Sequence, residues 1–456
     1  MTHQDTAIPS PANPKSGNLP TQRQMLVLWV PLAASMLIMV LETSIVNVGL
    51  GRSADAELAL AAYGVAYSIA LLVEAPILML IDASVARSID RRASSVVRRF
   101  TILLGLLVTA IGFVVSATPM YGLIVERLMG IPADVAAWAR PTLIVLAFWS
   151  APIGWRRSYQ GVLIRANRTA AITIATVVRL AVLSAVLFVG LELWPDQGAV
   201  VAGVAMDISV VVEAVLVTLA ARRALRAGLL DTPEPKAQGP LTLLALWRFY
   251  RPLLMTSLIR QGIRPVLSAG IAAAAMARAS LAAWSVAWGL ATLIAGPAWS
   301  LQQLTTALDK DELAFRRLAQ FSLSLSLVLA GILTLIVVTP LYGAVMGGIY
   351  GLSLELQGLA RPALGVMACL PLVMGAQSLF RGSLIRRGAT TEVRSAIVLN
   401  ACVLIVSLLA GVRWLSLTGV LLASTTTMLS NLAELAWLWL ACRRCRAVDT
   451  DTLRGA

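Results

Sequence analysis

The sequence TPMYG at residues 118–122 recurs as TPLYG at residues 339–343, so that the offset from 118 to 339 is 221 residues. The same offset carries ARP at residues 139–141 onto ARP at residues 360–362. One offset that holds at several places along the chain indicates duplication, because chance identities would not keep a common register. We therefore expect the chain to consist of two copies of one structural unit.

Composition places both copies in a membrane rather than in water. Hydrophobic residues make up 58% of the 456 residues and charged residues 13%, whereas water-soluble proteins average roughly 45–50% and about 25%. Apolar segments long enough to cross a bilayer as helices are predicted at residues 25–50, 57–86, 95–117, 133–164, 169–191, 197–221, 247–274, 279–305, 319–340, 356–386, 393–411 and 415–441. No segment between these twelve spans is long enough to form a soluble catalytic domain.

Six spans per copy is an even number, so both copies enter the membrane in the same sense. The predicted fold is all-α, a polytopic membrane protein of twelve transmembrane helices in two parallel six-helix repeats. A pseudo-twofold axis along the membrane normal relates the repeats, an arrangement typical of transporters. The predicted parts are a disordered cytoplasmic tail at 1–24, six-helix lobes at 25–226 and 242–446, a cytoplasmic linker at 227–241 and a C-terminal tail at 447–456.

Basic residues are expected to mark the cytoplasmic side of the molecule. The net charge is +14, and most arginines form clusters between apolar spans, on every second connection. Such clusters face the cytoplasm, which predicts a bacterial inner-membrane protein with both termini cytoplasmic. Nucleic-acid binding requires a continuous basic patch, but the arginine clusters of this chain are spread over separate connections between spans. Their distribution argues against a nucleic-acid partner.

Missing residue types exclude several classes of chemistry. The one histidine, His3, lies in the N-terminal tail, which removes histidine-based catalysis and histidine metal cages. No phosphate-binding loop of the GxxxxGK type occurs, so ATP-driven pumping by this chain alone is not expected. Cys442 and Cys445 form a CxxC pair that lacks two further zinc ligands. We therefore expect no enzyme, metal site or cofactor.

Two arginines on the seventh span give the sharpest functional signal. Arg260 and Arg264 lie one helical turn apart near mid-membrane, where a charge is costly unless it is paired or reaches water. Their repeat equivalents, Met39 and Thr43, are uncharged, so the feature belongs to one half only. A polar group that differs between halves can contact an asymmetric substrate, and we predict an anion site here. The alternative is a structural ion pair between Arg264 and Glu42.

Spans four and ten carry a second polar feature that repeats with its order reversed. Arg156 and Gln160 share a helix face on span four, and Gln377 and Arg381 take the equivalent positions on span ten. We predict that both faces offer a guanidinium and an amide to the cleft. The alternative is that both arginines extend along the helix to the cytoplasmic surface.

The remaining polar residues of the spans divide into candidate lining groups and structural pairs. The further predicted substrate-lining residues are Glu42, Asn47, Tyr63, Tyr67 and Gln302. The candidates for binding a coupling proton or sodium ion are Glu42, Glu74 and Asp207. Asp207 and Arg179 have the alternative of neutralising each other within the first bundle. Structural roles are expected for the pairs that are equal in both halves, Arg140 with Arg361, Arg165 with Arg386 and Glu213 with Glu434.

Two sequence motifs resemble those of the progressive ankylosis protein family. They are AYGVAYS at residues 62–68 and R-x-x-x-R-P at residues 260–265, and VPL at residues 30–32 followed by Asn47 matches in spacing. The chain departs from the family at Gln377, where the family has an arginine. The resemblance implies a two-lobed fold like that of multidrug and toxic compound extrusion (MATE) transporters and the wider polysaccharide flippase superfamily. It also implies export of small organic anions, with citrate, nucleotides such as ATP, and pyrophosphate as the family's substrates.

The predicted function is export of small organic or phosphorylated anions by alternating access. The expected partners are the bilayer, the anion and a coupling proton or sodium ion, and the expected state is a monomer. Three alternatives stay open at this point: a cation-coupled multidrug exporter, a flippase for lipid-linked glycans, and a membrane scaffold that transports nothing.

Overall fold

The computed structural model describes residues 21–88, 91–166, 168–226 and 241–454. The predicted linker at 227–241 and the predicted tail at 1–24 lie almost entirely outside the described residues. Within the described ranges the chain is nearly all helical, and it contains no β-strand apart from one isolated bridge between Ala275 and Thr418.

Twelve long helical segments follow one another along the described chain, six in each half. The first half contains α1 Gln22–Leu50, α2 Ala56–Arg87, α3 Arg91–Ala117, α4 Ala133–Arg165, α5 Thr169–Leu193 and α6 Gly198–Arg226. The second half contains α7 Leu243–Ala272, α8 Ala277–Leu308, α9 Glu312–Val338, α10 Leu354–Arg386, α11 Thr390–Trp414 and α12 Gly419–Arg454. Ten of these described segments, all except α7 and α12, have the length and apolar composition of a membrane-crossing helix. The prediction of an all-α membrane protein is confirmed.

Four of the segments are interrupted, and the interruptions occupy related positions in the two halves. The helix breaks at Met79 in α2, at Trp149 in α4 and at residues 368–369 in α10, whereas α8 passes through a 3₁₀ turn at Gly296–Ser300. Pro297 lies in that turn, where its fixed φ and missing N–H donor oppose a regular α-helix. The same irregularities recur in α2 and α8 and in α4 and α10, as a duplicated fold requires.

The two ends of the bundle differ in charge. Arginine clusters occur where α2, α4, α6, α10 and α12 end, and we name this side the basic end. The opposite side, named the far end, contains the connections at residues 51–55, 118–132, 194–197, 273–276, 339–353 and 415–418.

The repeated TPxYG motif holds together two equivalent connections at the far end. The Tyr121 hydroxyl donates to the carbonyl of Ala136 on α4, and the Tyr342 hydroxyl donates to the carbonyl of Gln357 on α10. Burial raises the pKa of Tyr342 to about 12, so this phenol stays protonated and remains a donor at neutral pH. The motif therefore has a structural role, because its tyrosine hydroxyl joins each short connection to the helix that follows.

Arg140 and Arg361 stabilise the helix ends beside these connections. Arg140 donates from Nε to the Ser116 carbonyl at 3.0 Å, and Arg361 donates from Nε to the Val337 carbonyl at 3.0 Å. These carbonyls belong to the last turns of α3 and α9, where a helix leaves its final acceptors without amide donors. Both arginines thus have the structural role expected of a polar pair that is common to the two halves.

The two halves meet through α1 and α2 of the first half and α7 and α8 of the second. α2 packs against both α7 and α8, and α1 packs against α8. The Asn47 amide on α1 donates to the Ser285 carbonyl on α8 at 2.8 Å, and the Tyr250 hydroxyl on α7 donates to the Pro76 carbonyl on α2. The four helices therefore enclose the region between the halves, where a transporter would hold its substrate.

We expect Arg361→Ala to lower the free energy of unfolding by about 1–2 kcal/mol, because two carbonyls of α9 lose a charged donor. Thermal unfolding in detergent would show this as a lower melting temperature. Arg413→Ala is the matched control: Arg413 is exposed at the far end and makes no side-chain hydrogen bond within the described ranges. Equal melting temperatures for the two variants would contradict the role given to Arg361.

Candidate substrate-binding cleft

Arg260 and Arg264 lie one turn apart on α7, the helix of the second half that packs against α2 of the first half. The charge of Arg260 interacts with Arg381 and Glu434 in the second half. The charge of Arg264 acts on Tyr67, which belongs to α2 in the first half. The two charges therefore act on groups of both halves, while their position at a substrate cleft stays a prediction.

Neither guanidinium group is neutralised by the protein as described. Arg260 and Arg264 are both exposed, and neither side chain has a hydrogen-bond or ion-pair partner among the described residues. Pro265 follows directly and is buried within α7, where a proline removes one backbone hydrogen bond from the helix. The site therefore combines two free cations with a locally weakened helix backbone.

Glu213 on α6 is the centre of a buried polar cluster in the first half. Its side chain is 1% exposed and forms an ion pair with Arg156 of α4. It also accepts hydrogen bonds from the Gln160 amide at 3.3 Å and the Thr176 hydroxyl at 3.0 Å. The Nε atom of Arg179 lies 3.0 Å from the same carboxylate. One carboxylate thus joins α4, α5 and α6.

Glu434 on α12 forms the equivalent cluster in the second half. It forms an ion pair with Arg381 of α10 and accepts a hydrogen bond from the Asn400 amide of α11 at 3.0 Å. The Gln377 amide donates to the Asn431 carbonyl at 2.8 Å and lies 3.5 Å from the Glu434 carboxylate. The reversed order of arginine and glutamine has a simple reason, because either position reaches the same carboxylate.

These contacts place the predicted arginine and glutamine faces inside their own bundles. Arg156 is only 8% exposed, which rules out an extended conformation that reaches the membrane surface. Arg381 is also mostly buried against its glutamate. The alternative of surface-directed arginines is therefore wrong, while contact of Arg156, Gln160, Gln377 and Arg381 with a substrate stays a prediction.

The partners of Glu42 and Asp207 differ from the sequence-based alternatives. Glu42 forms a bidentate pair with Arg179, whose Nη1 and Nη2 lie 2.8 and 2.5 Å from its two carboxylate oxygens. The proposed alternative of an Arg264–Glu42 pair is thus not formed. Arg179 also contacts Glu213, so it does not neutralise Asp207, whose Oδ1 is buried without a hydrogen-bond partner in the described structure. Asp207 and Glu213 both belong to α6, but a separation of six residues places them about 120° apart around the helix, so Arg179 faces only Glu213.

Arg157 is a residue of the cleft region that the sequence pattern does not single out. It follows Arg156 on α4, and adjacent helix residues point about 100° apart, so it does not share the Arg156/Gln160 face. Its charge is the strongest opposing charge on Glu74, which is buried on α2. Glu74 is one of the predicted coupling-ion candidates. A carboxylate inside the membrane requires a nearby positive charge, and this requirement could have identified Arg157.

Formal charge balances within the two clusters but not in the cleft. The first-half cluster contains the carboxylates and guanidinium groups of Glu42, Glu74, Glu213, Arg156, Arg157 and Arg179. The second-half cluster contains Glu434 and Arg381. Arg260 and Arg264 therefore add two positive charges that neither cluster neutralises, while Asp207 is an unpaired carboxylate in the described first half.

Aromatic side chains surround the remaining candidate lining residues. Tyr63 and Tyr67 stack with ring centroids 5.5 Å apart, and Trp284 and Trp288 stack at the equivalent place in α8, 5.4 Å apart. Tyr63 and Asn47 are buried, whereas Tyr67 and Gln302 are half-buried and closer to open space. Of this set, Tyr67 is the residue that the structure brings near Arg264. Within the described ranges, no three ligand-type side chains gather closely enough to hold a metal ion.

The sequence matches neither a protein-family profile nor a curated protein. The structure is similar to solved membrane transporters. A multidrug resistance MATE family transporter of the MOP superfamily, in an inward-facing conformation, has a TM-score of 0.65 and 15% identity, covering 91% of this chain and 98% of that chain. The lipid II flippase MurJ in an inward closed conformation has a TM-score of 0.67 and 12% identity, covering 91% and 87%.

A third similar structure is a MOP superfamily transporter from Pyrococcus furiosus, for which a binding pocket of reverse polarity is described. Its TM-score is 0.54 at 16% identity, and the match covers 94% of this chain and 97% of that chain. At such low identities the likeness establishes a shared fold. The chain therefore has a MATE-like fold, while its resemblance to the progressive ankylosis family stays a prediction.

We expect Glu434→Gln to lower the free energy of unfolding by about 3–5 kcal/mol, because Arg381 would be left buried without its counter-charge. Removing both charges in Glu434→Gln/Arg381→Gln should cost less than the sum of the two single changes. Thermal unfolding in detergent measures all three variants. Glu126→Gln, at an exposed glutamate of the far end, is the control and should have little effect. Additive losses in the double variant would count against the buried pair.

Proposed function

We propose that this protein is a membrane transporter that exports small organic anions by alternating access, with Arg260 and Arg264 as the principal anion contacts. The observation that carries the proposal is the pair of guanidinium groups on α7, which are exposed and form no hydrogen bond or ion pair with the described residues. We propose that both groups face the cleft. A free charge at membrane depth is costly unless water or a ligand reaches it. An anion held between the two groups supplies the missing charge.

Guanidinium chemistry suits this assignment. Each group offers up to five N–H donors in a planar arrangement that matches carboxylate and phosphate oxygens. Arg260 and Arg264 lie one turn apart on the same helix, so an anion with two acidic groups can engage both. Citrate, nucleotides and pyrophosphate, which the family resemblance suggests, all have that property.

The charge balance argues against a cationic drug as the substrate. A cation exporter needs free carboxylates in its cavity, but Glu42, Glu213 and Glu434 are all paired with arginine. Asp207 is an unpaired carboxylate of the described residues, and it stands against two unpaired guanidinium groups. The MOP superfamily transporter from Pyrococcus furiosus, with its binding pocket of reverse polarity, supports the idea that this fold accommodates pockets of either sign.

A flippase for a lipid-linked glycan is the second candidate. The likeness to the lipid II flippase MurJ favours it, and a basic cleft also suits the diphosphate of a lipid-linked sugar. The difference lies in the apolar tail, which must stay in the bilayer while the headgroup crosses. A transport assay with soluble and lipid-linked substrates separates the two functions.

Orientation and coupling complete the proposal. The basic end is assigned to the cytoplasm because arginine-rich connections stay on that side, which places both termini there in a bacterial inner membrane.

A proton or sodium ion is proposed to couple transport, with Glu42, Glu74 and Asp207 as its candidate sites. Asp207 is the carboxylate of these three with a buried oxygen that lacks a partner in the described residues. The protein is proposed to act as a monomer, with neither a cofactor nor catalysis.

The central experiment measures uptake of labelled citrate and ATP into proteoliposomes, with and without a proton gradient. Arg260→Ala and Arg264→Ala are each expected to reduce anion flux about tenfold or more, since a charged hydrogen bond contributes about 1.5–3 kcal/mol. Arg251→Ala is the matched control, because Arg251 is an exposed arginine nearer the start of the same helix. Wild-type flux in both test variants would overturn the site assignment.

Two further substrates in the same vesicles test the competing functions. A fluorescent lipid-linked diphosphate that crosses the membrane, while free citrate and ATP do not, would identify a flippase. Transport of a cationic dye without any anion flux would identify a multidrug exporter. Absence of flux for every substrate, with correctly folded protein, would favour a scaffold role.

A further inference from the structure

Arg278 joins the two halves at the far end through three carboxylates. It lies at the start of α8 in the second half, whereas Asp55, Glu57 and Asp134 lie at the starts of α2 and α4 in the first half. Its Nη2 atom is 2.9 Å from Asp55 Oδ2, its Nε atom is 3.0 Å from Glu57 Oε1, and its Nη1 atom is 3.0 Å from Asp134 Oδ2. One side chain therefore carries three contacts that all cross between the halves.

The repeat shows that these contacts lie on the pseudo-twofold axis. Glu57 and Arg278 are 221 positions apart, which makes them repeat equivalents that touch each other across the axis. Asp134 has Glu355 as its equivalent, and the Glu355 charge also acts on Glu57. The axis therefore ends in one arginine that contacts three carboxylates, and Glu355 lies near enough for its charge to act on Glu57. The two equivalent positions differ in charge, with glutamate at 57 and arginine at 278.

Backbone contacts beside Arg278 show that the halves are closed against each other at this end. A Cβ atom on Gly51, which follows α1, would collide with the carbonyl oxygen of Tyr350 in the second half. Gly351 has a φ of 71°, a conformation that favours glycine, and lies against the Gly51 carbonyl. The Arg52 side chain donates from Nη2 to the Gly348 carbonyl at 3.0 Å. The far end is thus closed by polar and backbone contacts.

Water reaches the ion pairs, in contrast to the clusters deep in each half. The side chains of Arg278, Asp55 and Asp134 are 36%, 45% and 45% exposed. Exposed ion pairs are individually weak, so they can break on the time scale of a transport cycle. Because all three meet on Arg278, separation of the halves at this end must break them together.

We propose that Arg278 is an ionic latch for the far end of the transporter. In the closed state it holds Asp55, Glu57 and Asp134 of the first half. In the open state it moves away with α8, and the three carboxylates then border the opening. This inference rests on alternating access in the proposed function, but it does not depend on which substrate is carried.

The test measures the distance between the two halves at the far end. Spin labels are placed by Leu128→Cys and Leu354→Cys, at residues that are 79% and 84% exposed, after replacement of the four native cysteines by serine. Double electron–electron resonance on the protein in lipid nanodiscs then reports the closed and open populations. Arg278→Ala is expected to raise the open-to-closed ratio roughly tenfold, because three weak ion pairs are lost together. Arg413→Ala, which removes an unpaired arginine from the same end of the described structure, is the control and should leave the ratio unchanged.

Charge variants identify the cause of any shift. Arg278→Lys keeps the charge and should retain the closed distribution, whereas Arg278→Glu should open the far end further than Arg278→Ala. Adding Glu57→Arg to Arg278→Glu should restore part of the closed population, because the two positions face each other across the axis. If Arg278→Glu does not fold, the comparison of Arg278→Ala with Arg278→Lys still tests the latch.

Two results would overturn the latch. One is a wild-type distance distribution in Arg278→Ala, and the other is equal opening in Arg278→Ala and Arg278→Lys. The measurement uses no substrate, so either result would leave the anion assay of Arg260 and Arg264 standing. Equally, failure of that assay would leave the latch intact.

Discussion

The cost of a charge in the hydrocarbon of a bilayer governs the arrangement of polar residues in this protein. Deep in each half a glutamate is met by an arginine from another helix, Glu213 by Arg156 and Glu434 by Arg381. Such a buried pair adds little net stability over apolar packing, but loss of one partner is severe. The pairs therefore specify which helices lie together. Arg260 and Arg264 are exceptions to this rule, and the exception locates the proposed anion site.

The two halves share one helical framework, and the proposed function depends on residues that differ between them. In the first half Arg179 ties Glu42 of α1 to the bundle through a bidentate pair. The equivalent positions in the second half are Asn400 and Ile263, so α7 lacks that tie. The α7 arginines form no hydrogen bond or ion pair with the described residues of their own half, which leaves both guanidinium groups available to the proposed anion.

Sequence patterns predicted the elements that depend on local or repeated information. The offset of 221 residues and the apolar spans predicted the helices, and they correctly separated Arg140 and Arg361 from the functional candidates. The partners of the charged residues were harder to predict from the sequence. Glu42 binds Arg179 rather than Arg264, and Asp207 does not pair with Arg179, the partner considered for it. Pairing depends on the rotation and separation of neighbouring helices, which neither composition nor periodicity determines. Arg157 was missed for the same reason.

The carboxylates around Arg278 have a consequence for the passage of anions. Along the molecular axis the formal charge changes sign, from positive at Arg260 and Arg264 to negative at the far end, where one arginine meets three carboxylates. An anion is attracted to positive charge, so the carboxylates of the far end repel it both when it leaves the site toward that end and when it approaches from outside. Because the same barrier acts in both directions, it slows the passage of an anion through the far end and leaves the equilibrium unchanged, and the slowing decreases as the salt concentration rises. Screening over about 8 Å at physiological ionic strength would confine the effect to the mouth itself.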